Sequence, residues 1–264
     1  MEAVFIALFF FFTIVGFSTF YLQKGIGTMA DPMRQFGLFL LNKAPAGIVD
    51  LFNDEKGSGA KTWMNLGMIW LTLAGIGTFL SLWHDYDGSA LDSLASIGWS
   101  YDDGSALDTF VNATLITGLF SILLGGGLVA VARSGAGKMA SESNASLTAL
   151  LFSVLTATAL LLPTILGLLA DLSAENETLL QDLFMHSLRA FIIIAVMINV
   201  LLTVAQRKGE TIQASNWFVF MALASFIFGS QFRFFGELAD STQVVWLGER
   251  MTQSWVMISL FFAV

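Results

Sequence analysis

The chain has 264 residues, of which 56% are hydrophobic and only 12% are charged, and its mean hydropathy is +0.75. A soluble domain carries about twice that charged fraction, so the composition indicates an integral membrane protein. The absence of cysteine from the sequence excludes disulfides, thiolate metal sites and a cysteine nucleophile. The net charge of -8 argues against a nucleic-acid partner.

Long apolar runs predict an all-α, polytopic membrane bundle of about seven transmembrane helices, because roughly 20 apolar residues cross the bilayer core as a helix. The runs fall at 3–21, 62–83, 109–132, 147–170, 183–205, 215–236 and 246–264. The first run lacks a basic flank and a clean cleavage site, so we expect an uncleaved anchor helix at 1–21. We expect a cytoplasmic or interfacial linker with short amphipathic helices at 22–60, then a six-helix bundle at 61–264.

The charges of the connections predict the orientation of the chain. Lys and Arg are concentrated in every second connection, and the connections between these contain acids but neither Lys nor Arg. The basic connections are 22–61, 133–146 and 206–214. The acidic connections are 84–108, 171–182 and 237–245. Basic connections stay in the cytoplasm. The N-terminus is therefore expected outside the cell.

A repeated hexapeptide, Asp-Gly-Ser-Ala-Leu-Asp, occupies the first acidic connection at 87–92 and again at 103–108. A calcium site requires several acidic oxygens that converge on one ion, and each copy supplies only one or two acids before an apolar Ala-Leu. Its Asp and Ser residues suit helix caps. We therefore interpret the repeat as an outward-facing cap: Asp103 and Ser105 precede the third span, and Asp87 and Ser89 are candidates to start a short helix.

Ionisable side chains gather at the outer ends of the predicted spans, where charged residues in membranes are often functional. Arg189, Arg233 and Arg250 are candidate contacts for an anion, such as the propionates of a cofactor or a lipid head group. His84 and His186 are the candidate metal ligands. The alternative is that the arginines extend to the interface and form salt bridges there, and that each His is an ordinary interfacial residue.

Several short motifs occur in the order in which they occur in one family of membrane proteins. The segment Thr203 to Lys208, followed by Ser215-Asn216-Trp217-Phe218, resembles the junction between the fourth and fifth helices of haem–copper oxidase catalytic subunits. The most similar branch is the C-type, cb-type oxidases, which are related to nitric oxide reductases. Further similar pieces are Lys61 to Met64, Ile97-Gly98 with Val111-Asn112-Ala113, Ser141 to Ala145, and Val244-Val245-Trp246. The resemblance covers about 61–264, which corresponds to the N-terminal half of such a subunit.

Two departures from the family's pattern concern its metal ligands. Phe110 stands where the family has a His that binds the low-spin haem, and Phe cannot bind iron. The run from Leu247 to Gln253 contains no His, although the family's sixth helix supplies a copper ligand there. The resemblance therefore implies the scaffold of an oxidase subunit, with haem bound only if its ligands come from elsewhere. The cofactors are otherwise unknown.

The resemblance implies a subunit of a respiratory electron-transfer complex that contributes to terminal oxygen reduction. Its expected partners are other membrane subunits of that complex and the lipid bilayer, and its expected location is the plasma membrane of a prokaryote. Whether this chain is itself part of an oxidoreductase centre stays open. One alternative is a redox-inactive scaffold or assembly subunit that retains the oxidase fold, and another is a transporter of small solutes or lipids.

Overall fold

The computed structural model describes residues 55–89, 106–169, 174–207 and 211–264; at 106–107, 161–169 and 174–187 only the backbone is described. The predicted anchor at 1–21, most of the linker at 22–60, and Ile97-Gly98 lie outside these residues.

The described residues form helices joined by short turns, and they contain no strand. Its helices are α1 (Ser58–Tyr86), α2 (Ala106–Ser134), α3 (Glu142–Leu169), α4 (Ala174–Ala205), α5 (Ala214–Leu238), α6 (Thr242–Arg250) and α7 (Val256–Ala263). A single π-helical turn, Met251–Trp255, joins α6 to α7 without a break. Helices α1 to α5 are each long and apolar enough to cross a membrane. The all-α polytopic class is thus confirmed, whereas the number of seven spans and the orientation stay predictions.

The first described helix begins earlier than its apolar run. Gly57 precedes it with a left-handed backbone (φ 81°), and Ser58 is its first residue. The expected boundary between residues 60 and 61 therefore falls inside the first turn of α1. One side of this helix carries the exposed apolar side chains of Met68, Ile69 and Phe79, as a surface in contact with lipid does.

Small residues allow α1 and α2 to pack backbone against backbone in antiparallel directions. A Cβ atom placed on Gly67 would lie 2.9 Å from the carbonyl oxygen of Gly118, and one on Gly118 would lie 3.0 Å from the carbonyl oxygen of Gly67. Side chains larger than hydrogen would separate these helices.

The run Gly125-Gly126-Gly127 places α2 against three helices at once. A Cβ atom on Gly125 would meet Met64 of α1, one on Gly126 would meet Val264 just beyond α7, and one on Gly127 would meet Val219 of α5. Successive residues of a helix point about 100° apart, so three adjacent glycines serve three different neighbours. Small residues in a spanning helix predict close packing, and the contacts of these three glycines confirm it.

Helix α3 completes the bundle by packing against α1 and α4, and α4 packs against α5. We call the end of the bundle at which α1 ends and α2 begins the acidic end, and the opposite end the basic end. At the basic end the turn between α2 and α3 is held by α4. Asn199 accepts a hydrogen bond from the N–H of Ser141 (3.1 Å) and donates one to its carbonyl (2.7 Å). Thr203 accepts one from the N–H of Ala140 (2.9 Å).

Candidate functional site: a cavity at the acidic end

A cavity of about 480 Å³ lies between α2, α3, α4, α5 and the segment from α6 to α7. This volume falls within the range of roughly 300–1,000 Å³ that is usual for small-molecule sites. Its described lining, from α2 to α7, is Thr109, Asn112, Ala113, Ile116, Thr117, Phe120, Phe152, Thr156, Ala159, Leu160, Arg189, Phe226, Arg233, Glu249, Thr252, Gln253 and Met257.

Three aromatic rings form the floor of the cavity near the middle of the bundle. The ring centroids of Phe120, Phe152 and Phe226 lie 5.2 to 6.0 Å apart. The fully buried Trp63 packs against two of them from the side of α1. Tilted and edge-to-face contacts at these distances are favourable, so the floor is a packed aromatic cluster that separates the cavity from the basic end.

Hydroxyl and amide side chains form the middle of the wall. Thr117 and Thr156 are buried on α2 and α3, and the hydroxyl of Thr156 donates to the carbonyl of Phe152 (3.0 Å). The π-helical turn contributes Thr252 and Gln253 to the same wall. A π turn contains one residue more than an α-helical turn, so adjacent residues can face the same side of the helix. Such turns are frequent at functional sites.

Charged side chains stand at the mouth, towards the acidic end. The Nε of Arg233 donates to Oε1 of Glu237, one helical turn away, at 3.0 Å. Its Nη1 lies 3.9 Å from Oε1 of Glu249, beyond hydrogen-bond distance. Glu249 comes this near because α6 crosses α5 at a glycine: a Cβ atom on Gly248 would lie 2.6 Å from the backbone nitrogen of Arg233.

The structure brings together two of the three arginines predicted at the rim. Arg189 and Arg233 both line the cavity, from α4 and α5. Arg250 is not among the described lining residues; its guanidinium lies over the ring of Trp246, 5.5 Å from the centroid, as in a cation–π contact. The predicted set of three therefore divides into two cavity residues and one residue of the α6 surface.

Neither histidine is among the described lining residues of the cavity. His84 lies in the last turn of α1, half-buried, and is not among the lining residues. His186 belongs to the part of α4 of which only the backbone is described. Among the described residues no group of three or more His, Asp or Glu side chains is placed to hold a metal ion.

The positions that the resemblance assigns to the oxidase family's metal ligands have other surroundings here. Phe110 faces α1, where a Cβ atom on Gly77 would lie 3.2 Å from its ring, and it is not among the described lining residues. From the segment 247–253, Glu249, Thr252 and Gln253 line the cavity. The described lining offers carboxylate, amide, hydroxyl and thioether groups but no imidazole, so these residues do not fit a haem with histidine ligands.

The described part of the hexapeptide repeat forms a turn directly after α1. Oδ1 of Asp87 accepts hydrogen bonds from the hydroxyl of Ser89 (2.8 Å) and from its N–H (3.1 Å). These bonds hold the pKa of the Asp87 carboxyl below its usual range, and the nearby His84 lowers it further. Asp87 thus ends α1 with a tight turn, while Asp103 and Ser105 lie outside the described residues. In the second copy, Ala106 to Asp108 form the start of α2.

The sequence carries a signal for the α2 wall. Thr109, Asn112, Ile116 and Phe120 follow one another at intervals of three and four residues, the spacing of one helix face. Thr109, Asn112 and the adjacent Thr117 make part of this face polar, and polar residues on one face of an apolar span indicate a surface that meets a cavity instead of lipid.

Comparison of the chain with models of protein families, with curated proteins and with solved structures found no match.

Proposed function

We propose that this chain is a membrane subunit that retains the scaffold of a haem–copper oxidase catalytic subunit and serves a respiratory complex as a redox-inactive scaffold or assembly subunit. The alternative that it contributes directly to oxygen reduction would need metal ligands from another chain. The proposal is supported by what the residues of the family-like motifs do and by what stands at the ligand positions.

The observation that carries the proposal is that family-like motifs supply contacts between helices. Ser141 is bound by Asn199 of α4, and Thr203 binds the backbone of Ala140. Asn216, in the Asn-Trp-Phe motif at the start of α5, accepts a hydrogen bond from the hydroxyl of Ser134 at the end of α2 (2.9 Å). All these contacts lie at the basic end and connect α2, α3, α4 and α5.

Phe110 and the segment 247–253, which the resemblance assigns to metal-binding positions of the family, contain no histidine in this chain. Phe110 packs against α1, and the segment around the π turn presents a carboxylate, a hydroxyl and an amide. A chain under selection for the scaffold alone would keep the residues that join its helices and lose the metal ligands. This pattern favours the scaffold over the catalytic alternative.

Affinity purification from native membranes, followed by pyridine haemochrome spectra and metal analysis, tests the proposal. We expect the tagged chain to co-purify with haem-bearing membrane subunits, and the chain expressed alone to contain far less than one haem or copper per molecule. One stoichiometric haem in the isolated chain would overturn the redox-inactive assignment. Failure to recover any haem-bearing subunit would overturn the assignment to a respiratory complex.

The transporter alternative is less well supported by the geometry. The described lining of the cavity ends at the aromatic floor, and at the basic end hydrogen bonds join α4 to the turn between α2 and α3. A cavity open towards one end favours binding over passage. Uptake of solute into liposomes that contain the purified chain would contradict this interpretation.

A further inference from the structure

We propose that the cavity is a binding site for a compact amphiphile: a carboxylate or phosphate head on one short apolar chain. The head would lie between Arg189 and Arg233, and the apolar chain would reach the rings of Phe120, Phe152 and Phe226. This inference does not depend on the oxidase-like scaffold, because it uses only the cavity and its lining.

The mouth has the chemistry of an oxyanion site. Arginine presents its N–H donors in a planar fork that matches carboxylate and phosphate oxygens. Glu237 fixes the orientation of Arg233 through its Nε, and Nη1 of the same guanidinium lies 3.9 Å from Oε1 of Glu249. Glu249 is the weaker partner, since its oxygen is 3.9 Å away and its side chain has an exposed fraction of 43%. An entering oxyanion would replace this long contact without breaking the bond to Glu237.

The charges of the described lining also favour an anion. Two arginines and one carboxylate, that of Glu249, line the cavity, and the remaining described lining residues are neutral; Glu237 offsets part of the charge of Arg233 from outside the lining. A cationic ligand would meet the opposite balance of charge.

The interior requires an apolar part in the same ligand. From Thr109 at the mouth to Phe120 at the floor, α2 extends about 16 Å at 1.5 Å per residue. Over this length the lining changes from charged to hydroxyl-bearing and then to aromatic. A small inorganic anion would fill only the mouth, whereas a chain that follows the cavity would bury its carbon atoms against the three rings and Met257.

Isothermal titration calorimetry of the detergent-purified chain tests the proposal with four probes: octanoate, octyl phosphate, octan-1-ol and inorganic phosphate. We expect saturable binding of one octanoate or octyl phosphate per chain. Octan-1-ol lacks the charge and inorganic phosphate lacks the chain, so each should bind at least about tenfold more weakly. Binding of only one of the two anionic amphiphiles would support the proposal and identify the head group.

Three single variants distinguish the mouth from the rest of the surface. Arg233→Gln should weaken octanoate binding by about tenfold or more, because it removes a charge-assisted contact. Glu249→Gln should strengthen it by about two- to fivefold, because it removes a competing anion. Arg250→Gln is the matched control: it removes the same charge from the same end of the bundle, outside the described lining, and should change binding by less than about twofold.

The proposal fails if octan-1-ol binds as tightly as octanoate, because binding would then be apolar partitioning. It also fails if inorganic phosphate binds as tightly as octyl phosphate, which would indicate a plain anion site. If Arg233→Gln does not fold, Ala113→Phe provides a second test, since a ring in the cavity should abolish binding; unchanged binding in a folded Ala113→Phe variant would overturn the proposal.

Discussion

The carboxylate of Glu142, fully buried at the start of α3, accepts a hydrogen bond at 3.1 Å from the backbone N–H of Gly59 in the first turn of α1. Its other oxygen accepts bonds from the N–H groups of Gly57 (2.9 Å) and Met139 (3.0 Å). One side chain thus satisfies backbone donors at the beginnings of two helices, where a negative charge is also favoured by the helix dipoles.

We expect Glu142→Gln to lower the free energy of unfolding by about 2–4 kcal/mol, since the amide keeps one acceptor and presents an NH₂ group to the remaining N–H donors. Thermal unfolding of the purified chain in detergent measures this effect as a fall in midpoint of at least about 5 °C. Glu249→Gln, which removes a half-exposed carboxylate, is the control and should shift the midpoint by less than about 2 °C. Equal shifts in the two variants would contradict the role of Glu142.

Two glycines of α1 predict opposite results for the same substitution. A Cβ atom on Gly59 would overlap the Cβ of Ala145, whereas one on Gly75 would have no neighbour within 4 Å. Gly59→Ala should therefore destabilise the protein by about 1–3 kcal/mol through overpacking. Gly75→Ala should be neutral or stabilising by up to about 1 kcal/mol, because alanine is the better helix former. Unfolding midpoints of both variants test this, and a tolerated Gly59→Ala would refute the close contact.

The turn after α1 predicts a pH dependence. The hydrogen bonds from Ser89 depress the pKa of Asp87, so the ionised carboxylate is favoured in the folded chain. The stabilisation is present above the pKa of the unfolded chain and is lost as the pH falls through the lower, folded value. Ser89→Ala should raise the pKa of Asp87 towards its usual range, as measured by NMR titration of the carboxyl carbon. An unchanged titration curve would show that Ser89 does not hold this carboxylate.

The predicted orientation is open to a direct test because the sequence contains no cysteine. Ser89 lies just after α1 at the acidic end, and Thr211 lies just before α5 at the basic end; both are exposed. In intact cells, a membrane-impermeant maleimide should label Ser89→Cys but should label Thr211→Cys only after permeabilisation. The reverse pattern would invert the topology inferred from the basic residues.

The sequence predicts those parts of the fold that depend only on the order of residues along the chain. Apolar runs gave the positions of α1, α2, α3 and α5 closely, because the length of a span is set by the thickness of the bilayer. Helix α4 begins at Ala174, before the apolar run at 183–205, because its first turns are polar. The glycine run in α2 correctly indicated close packing. The start of α1 was placed too late, because the residues before Lys61 are polar. They are helical because Glu142, more than 80 residues away in sequence, caps that end.

The cavity was harder to predict from the sequence, because it depends on contacts between side chains that are not local in the sequence pattern. Arg189 and Arg233 are candidates because a charged side chain within a membrane is unfavourable in free energy, but the same argument applies to Arg250. What separates them is direction: Arg250 turns to Trp246 on the same helix, whereas Arg233 is held by Glu237 beside the cavity. The π turn was not predicted either, because residues 251–255 carry no local pattern that requires a wider helix.

The π turn also sets the rotational phase of everything that follows it. Because the π turn holds one residue more than an α-helical turn would, it keeps α7 nearly in phase with α6. If residues 251–255 formed a regular α-helix with the same number of residues, the extra residue would rotate α7 by about 100° relative to α6. Leu260, which now faces Gly127, and Val264, which faces Gly126, would then turn away from α2 together. Substitutions within this turn are therefore tolerable only if they keep it wide, because a change that restored the regular α-helix would separate α7 from α2.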